Sequence, residues 1–273
     1  MTPIDWARMA CPQPDGYDTD MVLRLVETEP TPWHPYKFRR PAPDGVPSIA
    51  GGIVALSAAA PLLPAPRWQP VDGVPAVLEH AIALVGRWPE AALQWPQIIH
   101  TIQCFTDTEP PAPKLYSASH SVGSRFGVIG LTILCPLATA QALVHEMAHA
   151  KLRAMGVDNE HAIRIVANPP DDMFFSPVVG RARPMTAVLH AQYSFIHVTQ
   201  LDLCMLREET DADTRSDIRA LLARNVMRMT EGLSVLRDNL SASGDGEAFV
   251  GAFLDWCDTV LAEGRQALGL PSA

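Results

Sequence analysis

Residues 145 to 149 read His145-Glu146-Met147-Ala148-His149, two imidazoles four positions apart with a carboxylate between them. On a helix, positions i and i+4 lie one above the other, so both rings can reach one metal ion from the same face. Glu146 is turned about 100° from His145 and still within reach of a metal-bound water, where the general base of a metal hydrolase would sit. A third ligand separates the reaction classes. A metzincin needs a glycine and a histidine where this chain has Leu152 and Met155, so that subclass is excluded. A thermolysin-like site wants a glutamate on the next helix, and Glu160 follows His149 after a tight turn at Gly156. His190 lies in the next long helix, whose antiparallel return can bring it over the first pair. His197, on nearly the same helix face, and His161, beside Glu160, compete with it.

These side chains need a rigid support. Arg125 to Leu134 reads as a strand, Pro136 suits a helix start, and 138–156 is rich in helix formers, with Leu143, Val144, Met147, Ala148 and Leu152 as its apolar stripe. Residues 1–75 are Pro-rich and irregular, with a short helix or strand at Met21–Glu27, a loop at Trp33–Tyr36 and a buried fragment in Ile49–Leu63. A helix is expected from Ala76 to about Trp88, then strands at Ile98–Phe105 and Phe126–Leu134. Beyond 136 the chain is expected to be helical over 138–156, 185–208, 213–240 and 245–268, with a loop at Asn168–Pro184. Asp245 and Glu247 suit the start of the last helix. The expected fold is α+β, one compact domain over 1–273 with a mainly helical C-terminal body packed on a small antiparallel or mixed sheet.

The chain has 273 residues, enough to bury a full core. Its net charge of −9 argues against a nucleic-acid partner. Its 5 cysteines, Cys11, Cys104, Cys135, Cys204 and Cys257, are scattered and lack a Cys-x-x-Cys pair. They read as reduced structural thiols of a cytoplasmic protein. No export signal and no membrane span is apparent, since Ile49–Leu63 is short and interrupted by Gly and Pro.

His145 to Leu152, followed by Phe175-Ser176-Pro177, Arg183-Pro184 and Val188-Leu189-His190-Ala191-Gln192-Tyr193-Ser194-Phe195, resembles the HExxH-type peptide β-hydroxylases that depend on α-ketoglutarate (2-oxoglutarate) and modify ribosomally made peptides. The likeness includes the strand before the metal helix and covers about residues 115 to 205. It implies an Fe(II) centre held by His145, His149 and His190, molecular oxygen as cosubstrate, and a basic residue gripping the distal carboxylate of α-ketoglutarate. That residue would be Arg183 of the family's Pro-Arg-Pro element. The chain departs from the pattern at Val178-Val179, where the family has Trp and Arg, and at Ala182, where it has Pro; Arg181 is the alternative cation. Phe174, Phe175 and Tyr193 are expected to shield the centre, and Glu146 to orient a metal-bound water or substrate.

The implied partner is a peptide, a ribosomally made precursor. The strand at Phe126–Leu134 could receive it by backbone pairing as a sheet edge, with Ser117, Ser119, His120, Ser121 and Ser124 in a loop at the mouth. Two rivals stand beside this reading. One is a zinc metallopeptidase with His145, His149 and Glu160 as ligands and Glu146 as base; the other is a metal-free helical interaction protein. The placement of the helix carrying His190 separates them.

Overall fold

The computed structural model describes residues 3–29, 31, 45–63, 65–110 and 115–271. The fold is α+β, a mainly helical C-terminal region packed against a mixed sheet. The expected loop at Trp33–Tyr36 lies outside the described residues.

The N-terminal region is more regular than its proline content implies. Gly16, at φ 74, admits a full helix α1 (Tyr17–Thr28), and short strands β1 (Ser48–Ile49), β2 (Val54–Leu56) and β3 (Trp68–Pro70) follow. The helix expected from Ala76 is α2 (Ala76–Val85). It stops before Pro89, which opens a second helix, α3 (Pro89–Ile98), because a proline ring fixes φ at a value suited to a first helical turn. Strands β4 (Thr101–Asp107), β5 (Ser119–Ser121) and β6 (Val128–Thr132) precede α4 (Pro136–Ala154), which carries both histidines of the pair. A two-stranded hairpin, β7 (Met173–Ser176) and β8 (Arg181–Pro184), leads into α5 (Met185–Glu208), α6 (Ala212–Asn239) and α7 (Gly244–Leu268).

The main sheet runs β1-β2-β4-β6-β5, with β3 antiparallel to the end of β4. Strands β2, β4 and β6 are parallel, and β5 runs antiparallel along β6. The strand expected as an edge is therefore interior, closed on one side by β4 and on the other by β5. The residues expected as a mouth loop, Ser119 to Ser121, form that bordering strand. Two glycines make this possible. Gly127 turns into β6 at φ +71, where a Cβ would lie 2.4 Å from the Ile98 carbonyl oxygen. Gly130 lies opposite His120, whose ring fills the space of the missing side chain: a Cβ there would lie 2.5 Å from His120 Cε1.

Helix α4 packs on β5 and β6 and between α2 and α5. It is buried around nearly its whole circumference, as its run of Leu, Val, Met and Ala requires. It also carries a buried charge: Lys151 Nζ donates to Asp18 of α1 at 2.5 Å and to Gln94 of α3 at 3.0 Å, and Gln94 donates in turn to Asp18. All 5 cysteines are free. Among the described residues no helix is long and apolar enough to cross a membrane.

Candidate metal centre

Helix α4 holds His145 and His149 one turn apart, and their Nε2 atoms are 2.9 Å from each other. Helix α5 brings His190 against the same pair, with its Nδ1 2.9 Å from His149 Nδ1. His190 is fixed from behind, where its Nε2 lies 2.9 Å from the carbonyl oxygen of Val157 in the turn after α4. Three imidazoles separated by as much as 45 positions in the chain thus stand in one row.

The tautomers of that row follow from its far end. A carbonyl oxygen only accepts, so His190 Nε2 carries the hydrogen and a neutral ring leaves Nδ1 as acceptor. His149 Nδ1 must then donate, His149 Nε2 accept, and His145 Nε2 donate. His145 Nδ1 is left as a lone pair, and it is buried with no partner. Leaving a buried acceptor unpaired costs about 1–3 kcal/mol, so the row does not satisfy itself. Burial also drives all three rings toward the neutral form. His145 lies below the usual imidazole value and His149 well below it, helped by the two neighbouring rings. His190 is pushed down to about 3 by burial and then by Arg153.

The rings form a row rather than a cradle, because His149 turns a different nitrogen to each neighbour. Among the described residues no group of three or more His, Cys, Asp or Glu side chains is arranged as it stands around one metal ion. The donor chemistry nevertheless fits one: three neutral imidazoles, with the rear nitrogen of His190 held by a backbone carbonyl as a metal-ligating histidine usually is. The ring carbon of His149 between its two nitrogens is Cε1, and a half-turn about Cβ–Cγ exchanges Cε1 with Nε2. That rotation directs one lone pair of His149 between His145 Nε2 and His190 Nδ1.

Glu146 is held by the edge strand. Successive residues of a strand face opposite sides, so Ser119 and Ser121 both face α4 while His120 points away onto Trp68. The Ser119 hydroxyl donates to one carboxylate oxygen at 2.7 Å and that of Ser121 to the other at 2.5 Å. Arg153, two turns along α4, donates to Ser121 Oγ at 2.7 Å and to Asp158 at 3.1 Å. Both oxygens of Glu146 are therefore engaged.

The remaining candidates divide clearly. Glu160 and His161 are exposed on the loop after α4. His197 is buried about two turns beyond His190, donates from Nδ1 to its own helix at Tyr193, and packs on Trp88 and Trp256. Arg181 is exposed and Arg183 half-buried on β8. The expected shield is differently built. Phe175 is exposed and Tyr193 packs on Phe249 and Phe253, whereas Phe195 meets the His145 ring edge-on at 5.0 Å. Sequence reasoning missed the Val157 carbonyl, the packing of Phe195 on His145 and the bonds of Ser119 and Ser121 to Glu146, having placed both serines in a mouth loop; the Ser-x-Ser spacing of a strand was the one signal that could have found the last.

A cavity of about 190 Å³ opens on His145, between Tyr116, Ser119, Gln141, Phe195 and Arg224. Neither Arg181 nor Arg183 lines it. Compared with known proteins, the chain matches no family model and no curated protein.

Proposed function

We propose that the chain is a non-haem iron(II), α-ketoglutarate-dependent oxygenase that hydroxylates the β-carbon of a residue in a peptide. The observation that carries this reading is the contact of His190, from α5, with the His145–His149 pair of α4. Three neutral imidazoles leave coordination positions open for a keto acid and oxygen, which is what this chemistry needs of its protein. When bound, iron(II) with the keto acid supplies an oxidant able to take hydrogen from an unactivated carbon; one oxygen atom ends in succinate, with release of CO2, and the other in the new hydroxyl group.

The chain's own residues act around that chemistry. His145, His149 and His190 would hold the metal, the His149 ring having to turn to offer one nitrogen to it. Val157 fixes the tautomer of His190. Phe195 covers the edge of His145 and excludes water there. Glu146, tied to Ser119 and Ser121, orients the first turn of the pair and the ligands beside it. On the family pattern a positive charge for the distal carboxylate comes from Arg183, with Arg181 the first alternative, at the entrance of α5, where the helix dipole also favours an anion.

The zinc-peptidase reading is less well supported. Its third ligand, Glu160, is exposed on the loop after α4, and both oxygens of its base already accept from serine hydroxyls, which lowers their basicity. The test is anaerobically prepared iron(II) protein mixed with oxygen, α-ketoglutarate and the peptides encoded beside its gene, followed by mass spectrometry and succinate detection. A mass gain of one oxygen atom matched by succinate is expected, lost in His190→Ala. Cleavage of the peptide without keto acid would move the assignment to the peptidase.

A further inference from the structure

The cavity on His145 has a chemical bias of its own. Ala138, Ala142, Phe195 and Val198 make part of its lining apolar, and among the described residues Arg224 of α6 is the one lysine or arginine in the lining and no carboxylate takes part in it. Among the described residues Arg224 has no carboxylate within ion-pair distance. The nearest candidate to neutralise it is Asp202 of α5, whose two oxygens are already taken by Gln141 at 2.6 Å and Asn225 at 2.9 Å. Burial raises the Asp202 carboxyl to about 7, so part of its charge is quenched at neutral pH, while Arg224 is exposed to solvent and stays charged. A solvent-exposed planar fork beside a partly apolar cavity, with no carboxylate paired to it among the described residues, matches a carboxylate carried on a short aliphatic chain. The size agrees: about 190 Å³ is below the ~300–1,000 Å³ of sites for drug-sized ligands and suits a group of a few carbons.

We infer that this cavity is a carboxylate subsite, in which Arg224 grips the acid group of a short aliphatic chain whose other end lies beside His145. The inference rests on the oxygenase reading only for what happens at the His145 end. Two sources share the chemistry, the free dicarboxylate cosubstrate and an acidic side chain of the peptide, and they are separable by probe.

The experiment is calorimetric titration of the full chain, with and without anaerobically supplied iron(II), using glutarate as the free dicarboxylate and N-acetylglutamate amide as the peptide-borne acid. Iron content is measured on the same samples. At least one probe binds, Arg224→Gln weakens it about tenfold or more, and Arg224→Lys restores part of the loss. Ala138→Leu, which fills the slot without touching its charge, weakens the same probe. Preference for glutarate assigns the subsite to the cosubstrate, and preference for the amide assigns it to the peptide. Absence of binding by both probes, or an Arg224→Gln protein that binds as wild type does, overturns the subsite. Absence of iron with Arg224-dependent probe binding intact overturns the oxygenase reading and leaves the subsite standing.

Discussion

Two roles for Glu146 are separable by one substitution. A general base contributes about 10²–10⁴-fold, so a hydrolase would lose nearly all activity in Glu146→Gln. A carboxylate that accepts from Ser119 and Ser121 on both oxygens is a positioning group, and a glutamine keeps one acceptor and the same shape. The variant is expected to bind metal as wild type does and to retain at least about a tenth of the oxygenase turnover, read as succinate formed per minute. At this scale the His145–His149 pair was legible because helix geometry makes i and i+4 neighbours. His190 was legible only as one of several candidates, since a contact across 41 positions depends on how two helices cross. Phe195 and Arg224 were not legible at all: an aromatic or a cation on a helix acquires meaning only when a cavity is seen beside it.

Among the elements, the long C-terminal helices could be read from periodicity, and α5 was expected over 185–208, the span it occupies. Of the sheet, β4 and β6 were expected, within Ile98–Phe105 and Phe126–Leu134, but the neighbour of β6 was not. Strand β5 is three residues long and polar, so no hydrophobic alternation announces it, and without it β6 looks like an edge. In the Pro-rich start α1 was legible only as a short helix or strand at Met21–Glu27, because its role is set by a partner 133 positions away, the Lys151 of α4. That ion pair is fully buried and ties α1, α3 and α4 together behind the histidine pair. Removing one charge strands the other: Lys151→Met is expected to lower the stability by about 3–5 kcal/mol in urea unfolding. Replacing Asp18 by Leu in the same chain should recover most of that loss, since an apolar pair of similar volume leaves no unpaired charge.

At the scale of the whole molecule, buried Asp202 sets a pH dependence. Its pKa in the folded chain is raised to about 7 from an ordinary 3.8, so the folded state keeps a proton that the unfolded chain releases. The stabilisation is fully present below the unfolded value and is lost as pH rises through the folded one, at about 1.4 kcal/mol per unit at most. Urea midpoints are expected to fall from pH 5 to 7 and to level off above, with the slope reduced in Asp202→Asn. In the proposed centre a cation bound by His145 Nε2, His149 and His190 Nδ1 would replace the ring-to-ring hydrogen bonds of the row and tie α4 to α5. The most direct measurement is therefore iron(II) bound per chain after anaerobic reconstitution and desalting, made on wild type, His145→Ala, His149→Ala, His190→Ala and Glu160→Ala. One equivalent in wild type and in Glu160→Ala, with less than a fifth of an equivalent in each histidine variant, is the predicted result; a wild-type protein that retains no iron, or a His190→Ala protein that retains it fully, would contradict the account.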